Sequence, residues 1–204
     1  EDRWVKCDGL PYSSPVVPGK EIGKFSLRDG WTDLFGSMTT VMFRSEVVRS
    51  TQPFYNESHL YADTEACYKV LQSWDFGFVH QVLTFSRVHP HRLSSFSIAH
   101  DTLPLSRLAV TRQFGNHYLE PDEYQACLER TLDRYYHMLG GHLLKGRRAA
   151  FWSYHRRALE ELGFSFSWPR VVGNACAIVA RAVIRPFESV RRAARTIAAG
   201  PGRG

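Results

Sequence analysis

The chain of 204 residues contains no uninterrupted apolar run of membrane-spanning length, no C-x-x-C pair, no Asp-x-Asp and no internal repeat. The first absence speaks against a conventional membrane span, which needs about 18 or more apolar residues in a row. The second removes a short-spaced zinc cluster. The cysteines, Cys7, Cys67, Cys127 and Cys176, lie far apart, whereas a secreted disulfide scaffold is usually shorter and denser in Cys. They read as reduced, mostly buried thiols of a protein in the cytoplasm. The chain opens Glu1-Asp2-Arg3, with neither an initiator Met nor the charged-then-apolar layout of a signal peptide, which suggests neither export nor a natural gene start.

What is present is ordinary globular material, with 44% hydrophobic, 13% aromatic and 23% charged residues, and disorder is not expected. The net charge of +6 is unevenly distributed. From residue 181 onward six arginines (Arg181, Arg185, Arg191, Arg192, Arg195 and Arg203) face one acid, Glu188. The preceding 180 residues are therefore close to neutral, with 20 basic against 19 acidic side chains. A pI near 9.3 thus reports a basic tail and not a protein-wide basic surface.

Residues 1 to 30 carry Gly9, Pro11, Pro15, Pro18, Gly19, Gly23 and Gly30, punctuation that predicts a loop with at most one short hairpin. Met38 to Phe43 form a β-branched and apolar run, expected to be a buried strand, and Arg44-Ser45-Glu46 opens a helical turn. Residues 63 to 74 place Ala66, Cys67, Val70, Leu71 and Trp74 on one helical face, with Asp63 and Glu65 in the first turn, where the helix dipole favours carboxylates. Phe78 to Phe85 predicts a second strand.

Beyond about residue 100 the pattern is helical. One helix opens at Pro121 and stops at Gly140-Gly141; another runs from about Arg147 to Leu162, with Gly163 as its stop. A third opens at Ser167 and Pro169 and breaks at Pro186.

The stretch from Phe35 to Ser95 carries the motifs. It holds Gly36-Ser37-Met38-Thr39-Thr40 leading into Val41-Met42-Phe43-Arg44, then Pro53-Phe54-Tyr55-Asn56-Glu57, Tyr61-Ala62-Asp63-Thr64-Glu65, and Phe76-Gly77-Phe78-Val79 through to Arg87-Val88-His89. In order and spacing these blocks resemble the C-terminal half of bacterial family-two glycosyltransferases of the GT-A fold. The likeness is good over residues 30 to 96 and vaguer, as a helical extension, from 97 to about 165.

The resemblance implies an α/β architecture: an incomplete GT-A, Rossmann-like sheet portion followed by an α-helical C-terminal region. Residues 1–100 would be the acceptor-side half of a catalytic domain, 101–166 a helical extension, and 167–204 an amphipathic helix and basic tail. It implies transfer of a sugar from a nucleotide-sugar donor to a hydroxyl of a glycan or lipid-linked acceptor, with inversion, in the synthesis of cell-envelope polysaccharide or glycoconjugate. Asp63 matches the family's general base, although Ala62 stands where an acidic partner is usual. The alternative for Asp63 is a plain N-terminal helix cap.

By the same resemblance, His89 matches a position that approaches the donor diphosphate or its metal, Mg²⁺ or Mn²⁺ in the complete enzyme. Arg87 would pair with phosphate, and Gly36, Ser37 and Met38 would line the pocket, where a tight turn is the competing explanation. Asn56 and Glu57, in the loop before the base, would meet acceptor hydroxyls. The missing Asp-x-Asp implies that the nucleotide-binding half, on the order of 100 residues of βαβ units, precedes Glu1.

Two further readings come from composition. Arg147, Arg148, Arg156 and Arg157 interleave with Phe151, Trp152 and Tyr154, as in a module that stacks single-stranded nucleic acid or serves as a structural interaction surface. Nucleic acid is the weaker expectation, because the aromatics also fall where a packing face puts them. Residues 169–198 combine apolar and arginine positions as a helix lying at the inner membrane face does; a terminal helix packed on its neighbours, with a frayed basic end, is the alternative.

Overall fold

The computed structural model describes residues 14–29, 32–36, 38–81, 83–84 and 95–198. The chain forms two compact units, Glu1–Leu132 and Asp133–Gly204. Among the described residues the architecture is helix-rich, with one sheet of two short strands. The helical C-terminal region expected from the sequence is present, and a Rossmann-like sheet portion is not seen among the described residues.

In the first unit, β1 (Val16–Val17) pairs antiparallel with β2 (Phe76–Gly77), and the Phe78 N–H extends the contact by donating to the Pro15 carbonyl at 2.7 Å. The expected strand over Phe78 to Phe85 is instead irregular over residues 78–81; Val82 and Phe85 lie outside the described residues. The expected strand from Met38 to Phe43 is a turn at residues 38–40 and irregular over 41–44. A strand needs a neighbour to take its N–H and C=O groups; among the described residues no strand pairs with the first run, and in the second the Phe78 bond to Pro15 is not continued into a ladder. Val41 and Phe43 still pack inward while Met42 is 94% exposed, so the alternation persists without the ladder.

The loop expected up to residue 30 is corrected by α1 (Gly19–Asp29). Its glycines permit close packing: a Cβ on Gly19 would stand 2.0 Å from the Trp74 carbonyl oxygen, and one on Gly23 would stand 2.4 Å from the Tyr118 ring. Ile22, Ser26 and Leu27 form the buried stripe. The short helix α2 (Ser45–Ser50) follows Arg44 as expected.

Helix α3 (Ala62–Val70) matches the predicted helix in place, but its inner face is Ala62, Glu65, Ala66, Cys67 and Tyr68, with Trp74 beyond it 39% exposed. Fully buried Tyr68 is the hub. Its ring stacks on Phe114 at 5.6 Å, meets Phe35 and Tyr118 edge-on, and its hydroxyl donates to Ser26 Oγ at 2.8 Å. The Tyr118 hydroxyl donates to the Tyr68 carbonyl. Burial raises both phenols well above the ordinary range, so they act as neutral donors.

Helices α4 (Ser95–His100), α5 (Leu103–Tyr118) and the first part of α6 (Pro121–Leu144) complete this unit. Lys24 and Arg28 of α1 reach Glu123 at 2.7 and 3.6 Å, and Cys127 Sγ contacts the Leu27 carbonyl at 3.3 Å. Cys67 and Cys127 are buried free thiols, Cys176 is an exposed one, and Cys7 lies outside the described residues.

In the second unit, α6 continues through Gly140-Gly141, the expected stop. A Cβ on Gly140 would lie 2.8 Å from the Ala175 nitrogen, so this glycine admits α8 (Trp168–Ala198). Tyr135 and His155 of α7 (Ala149–Glu161) form a buried pair, Oη to Nδ1 at 2.7 Å. Gly163 ends α7 as predicted, at φ +81°, with its N–H and that of Phe164 closing on Glu160 and Leu159 carbonyls at 2.9 Å. Pro186 does not break α8, which runs on to Ala198.

Candidate active site

The first unit contains a cleft of about 440 Å³ lined by residues from four places in the chain: Gly36 from the first turn, Tyr61, Asp63 and Thr64 from the start of α3, Ser97 and Asp101 around α4, and Ser106 and Arg107 from α5. The cleft therefore gathers two carboxylates, a guanidinium and several hydroxyls. Exposed Leu60, Ile98 and Leu103 share the wall, so the lining is mixed, with polar groups set among apolar side chains as ligand-binding clefts commonly are. Asp101 holds φ +49°, an uncommon conformation for a residue other than glycine, where α4 gives way to α5.

Asp63 stands partly buried in the first turn of α3. Its Oδ1 accepts the Thr64 N–H at 2.8 Å and lies 3.4 Å from Thr64 Oγ1, which orients one carboxylate oxygen. Its charge is felt nearby. The Cys67 thiol is pushed up to about 12, first by burial and then by the negative charge of Asp63, and is no nucleophile near neutral pH. Tyr55 is raised by burial, with Cys67 and Asp63 adding to the shift.

Gly36 stands in a turn at the edge of the cleft. It holds φ +66°, a tight turn in which a Cβ would collide with Thr40 Oγ1, and it lines the cleft. Ala62 is buried in the core and does not line the cleft. Met38 is 53% exposed and Glu57 is exposed, neither of them on the cleft wall. Asn56 turns its Oδ1 back on the Ser58 N–H and hydroxyl, at 3.1 and 2.7 Å. Ser37, Arg87 and His89 lie outside the described residues. Of the residues singled out from sequence, the structure brings Asp63 and Gly36 together.

Sequence reasoning missed Asp101, Arg107 and a buried polar cluster on the same helix as Asp63. Its centre is Glu65, 3% exposed, whose Oε1 takes Lys69 Nζ at 2.6 Å and Gln113 Nε2 at 3.1 Å. His59 Nε2 approaches Oε2 at 2.5 Å, poorly aligned for a hydrogen bond and an ion pair once the imidazole is protonated; its ring stacks on Tyr61 at 3.7 Å. The Glu65–Lys69 spacing of four was a legible signal for one of these contacts.

Burial pushes the Glu65 carboxyl upward, but the hydrogen bonds from Lys69 and Gln113 and the charges of Lys69 and His59 outweigh it and hold the group below its ordinary range. A lowered carboxyl pKa stabilises the fold above the unfolded value of 4.5 and loses that contribution as pH falls through the folded one. Glu65→Gln is accordingly expected to cost about 2 kcal/mol at neutral pH and to flatten the acid limb of the thermal midpoint, as calorimetry across pH would record. An unchanged acid limb would remove Glu65 as its source.

Among the described residues no group of three or more His, Cys, Asp or Glu side chains is placed to hold a metal ion. These residues do not by themselves fit the divalent cation implied by the resemblance, and no step is assigned to one. No family model, curated protein or solved structure matches the chain.

In the second unit, arginines and aromatics of the α7 region contact one another within the chain. Phe151 is buried, Arg147 lies over its ring at 5.4 Å, Arg156 lies over Phe166 at 5.5 Å, and Arg157 pairs with Glu161 at 2.9 Å. Among the described residues no helix is long and apolar enough to cross a membrane.

Proposed function

We propose that this chain is the acceptor-side part of an inverting glycosyltransferase that moves a sugar from a nucleotide-sugar donor to an acceptor hydroxyl in envelope glycan synthesis. The observation that carries the proposal is the placement of Asp63: the acid singled out by its motif opens α3 in a cleft of mixed lining shared with Gly36, Asp101 and Arg107. In the proposed step the acceptor oxygen attacks the anomeric carbon and its proton passes to the Asp63 carboxylate. The bond from that carbon to the phosphate oxygen breaks, and the nucleoside diphosphate leaves with the electron pair. Thr64 fixes one oxygen of the base, and Arg107 brings positive charge to a cleft that must receive an anionic donor.

The 204 residues carry no Asp-x-Asp, and the proposal assigns the nucleotide and any metal to residues beyond them. Two outcomes follow. The chain alone should not turn over nucleotide sugars, and an enzyme in which a nucleotide-binding half precedes Glu1 should. Assays of released nucleoside diphosphate with a panel of donors test both, and turnover by the chain alone would overthrow the division of labour.

A further inference from the structure

Helix α8 is seated over only part of its length. Val171 and Ala175 are buried, Ile178 is half-buried against Gly141 of α6, and every residue from 179 to 184 is exposed. On the open side Val172, Cys176, Val179 and Val183 follow one another at spacings of four, three and four, so they share a stripe; the three valines are 47%, 47% and 56% exposed. The sequence continues the register with Phe187, Val190, Ala194 and Ile197. At about 100° per residue, Arg181, Arg185, Arg192 and Arg195 fall in the opposite sector. Over Trp168–Ala198 there are six arginines and one acid, a charge of 6 minus 1, or +5.

Two coverings could bury such a stripe, and charge separates them. A second copy of the same helix brings net +5 to net +5, with Glu188 the one acid on each side, so self-association gains no complementary charge for the arginines other than Arg170, which Asp133 already pairs. An anionic lipid surface takes the apolar stripe and the arginines together. We infer that α8 lies in the plane of an anionic membrane surface, its valine stripe among the acyl-chain ends and its arginines toward the headgroups. The helix is not apolar enough to span a bilayer, in keeping with lying on one. The inference stands on the helix itself and does not depend on the chemistry proposed for the cleft.

Vesicle flotation of the full chain tests it, using phosphatidylcholine alone and phosphatidylcholine mixed with phosphatidylglycerol. The chain should float with the mixed vesicles, not with the neutral ones, and binding should weaken in high salt. Replacing exposed Val179 and Val183 together by Asp should reduce binding at least about ten-fold. Arg181→Gln should reduce it about five-fold, with thermal midpoints unchanged in both variants. Failure to float, equal flotation with neutral vesicles, or indifference to the double replacement would overturn the inference. A dimer in light scattering that the double replacement dissolves, in a chain that does not bind vesicles, would overturn it in favour of a second copy.

Discussion

Gly19→Ala should destabilise the first unit by about 3 kcal/mol or more, the upper end of overpacking costs. A methyl group there would stand 2.0 Å from the Trp74 carbonyl oxygen and 2.3 Å from that of Leu71. Both obstacles are main chain, so no rotamer change relieves them, and α1 must move away from the segment after α3. That movement would loosen the packing of Ile22 and Leu27 in the core around Tyr68. Gly77→Ala is the matched control, because nothing lies within 4 Å of its added carbon; it should stay within about 0.5 kcal/mol of the parent. Urea unfolding of the two variants reads the difference, and equal midpoints would show that α1 does not pack as described.

The same glycine shows why part of the fold was illegible. Gly19 and Gly23 look like breakers in a segment that also holds Pro15 and Pro18, and only the positions of Trp74 and Tyr118, far away in sequence, reveal them as contact points. Met38 to Phe43 failed in the opposite direction. Its composition asks for a strand, but a strand is a property of two chains side by side, and no partner pairs with it among the described residues. Signals that need only near neighbours fared better: first-turn Asp63 and Glu65 opened α3, and Gly163 closed α7. Within the cleft, the place of Asp63 in the first turn of a helix was legible from the sequence. Asp101 and Arg107 were not, since they arrive from α4 and α5, some forty residues later, and no local pattern marks them.

Asp63→Asn should lower kcat of the enzyme that includes a nucleotide-binding half by roughly 10²- to 10⁴-fold, the usual contribution of a positioned general base. The amide keeps the size of the side chain and leaves an oxygen for the Thr64 N–H, so α3 should form as before. What it cannot do is accept a proton from the acceptor hydroxyl. The loss should fall on kcat more than on the donor KM, since Asp63 acts on the acceptor's proton in the proposed step. The weakened interaction with the helix dipole costs only about 0.3–1 kcal/mol of stability, too little to imitate a catalytic defect by unfolding.

That separation makes one measurement decisive: sugar transfer to acceptor by the Asp63→Asn enzyme at saturating donor, taken together with its thermal midpoint. A loss of at least about a hundredfold in kcat with the midpoint nearly unchanged is the predicted result. Full transfer activity in the variant would contradict the assignment of Asp63 as the proton acceptor and, with it, the reading of the cleft.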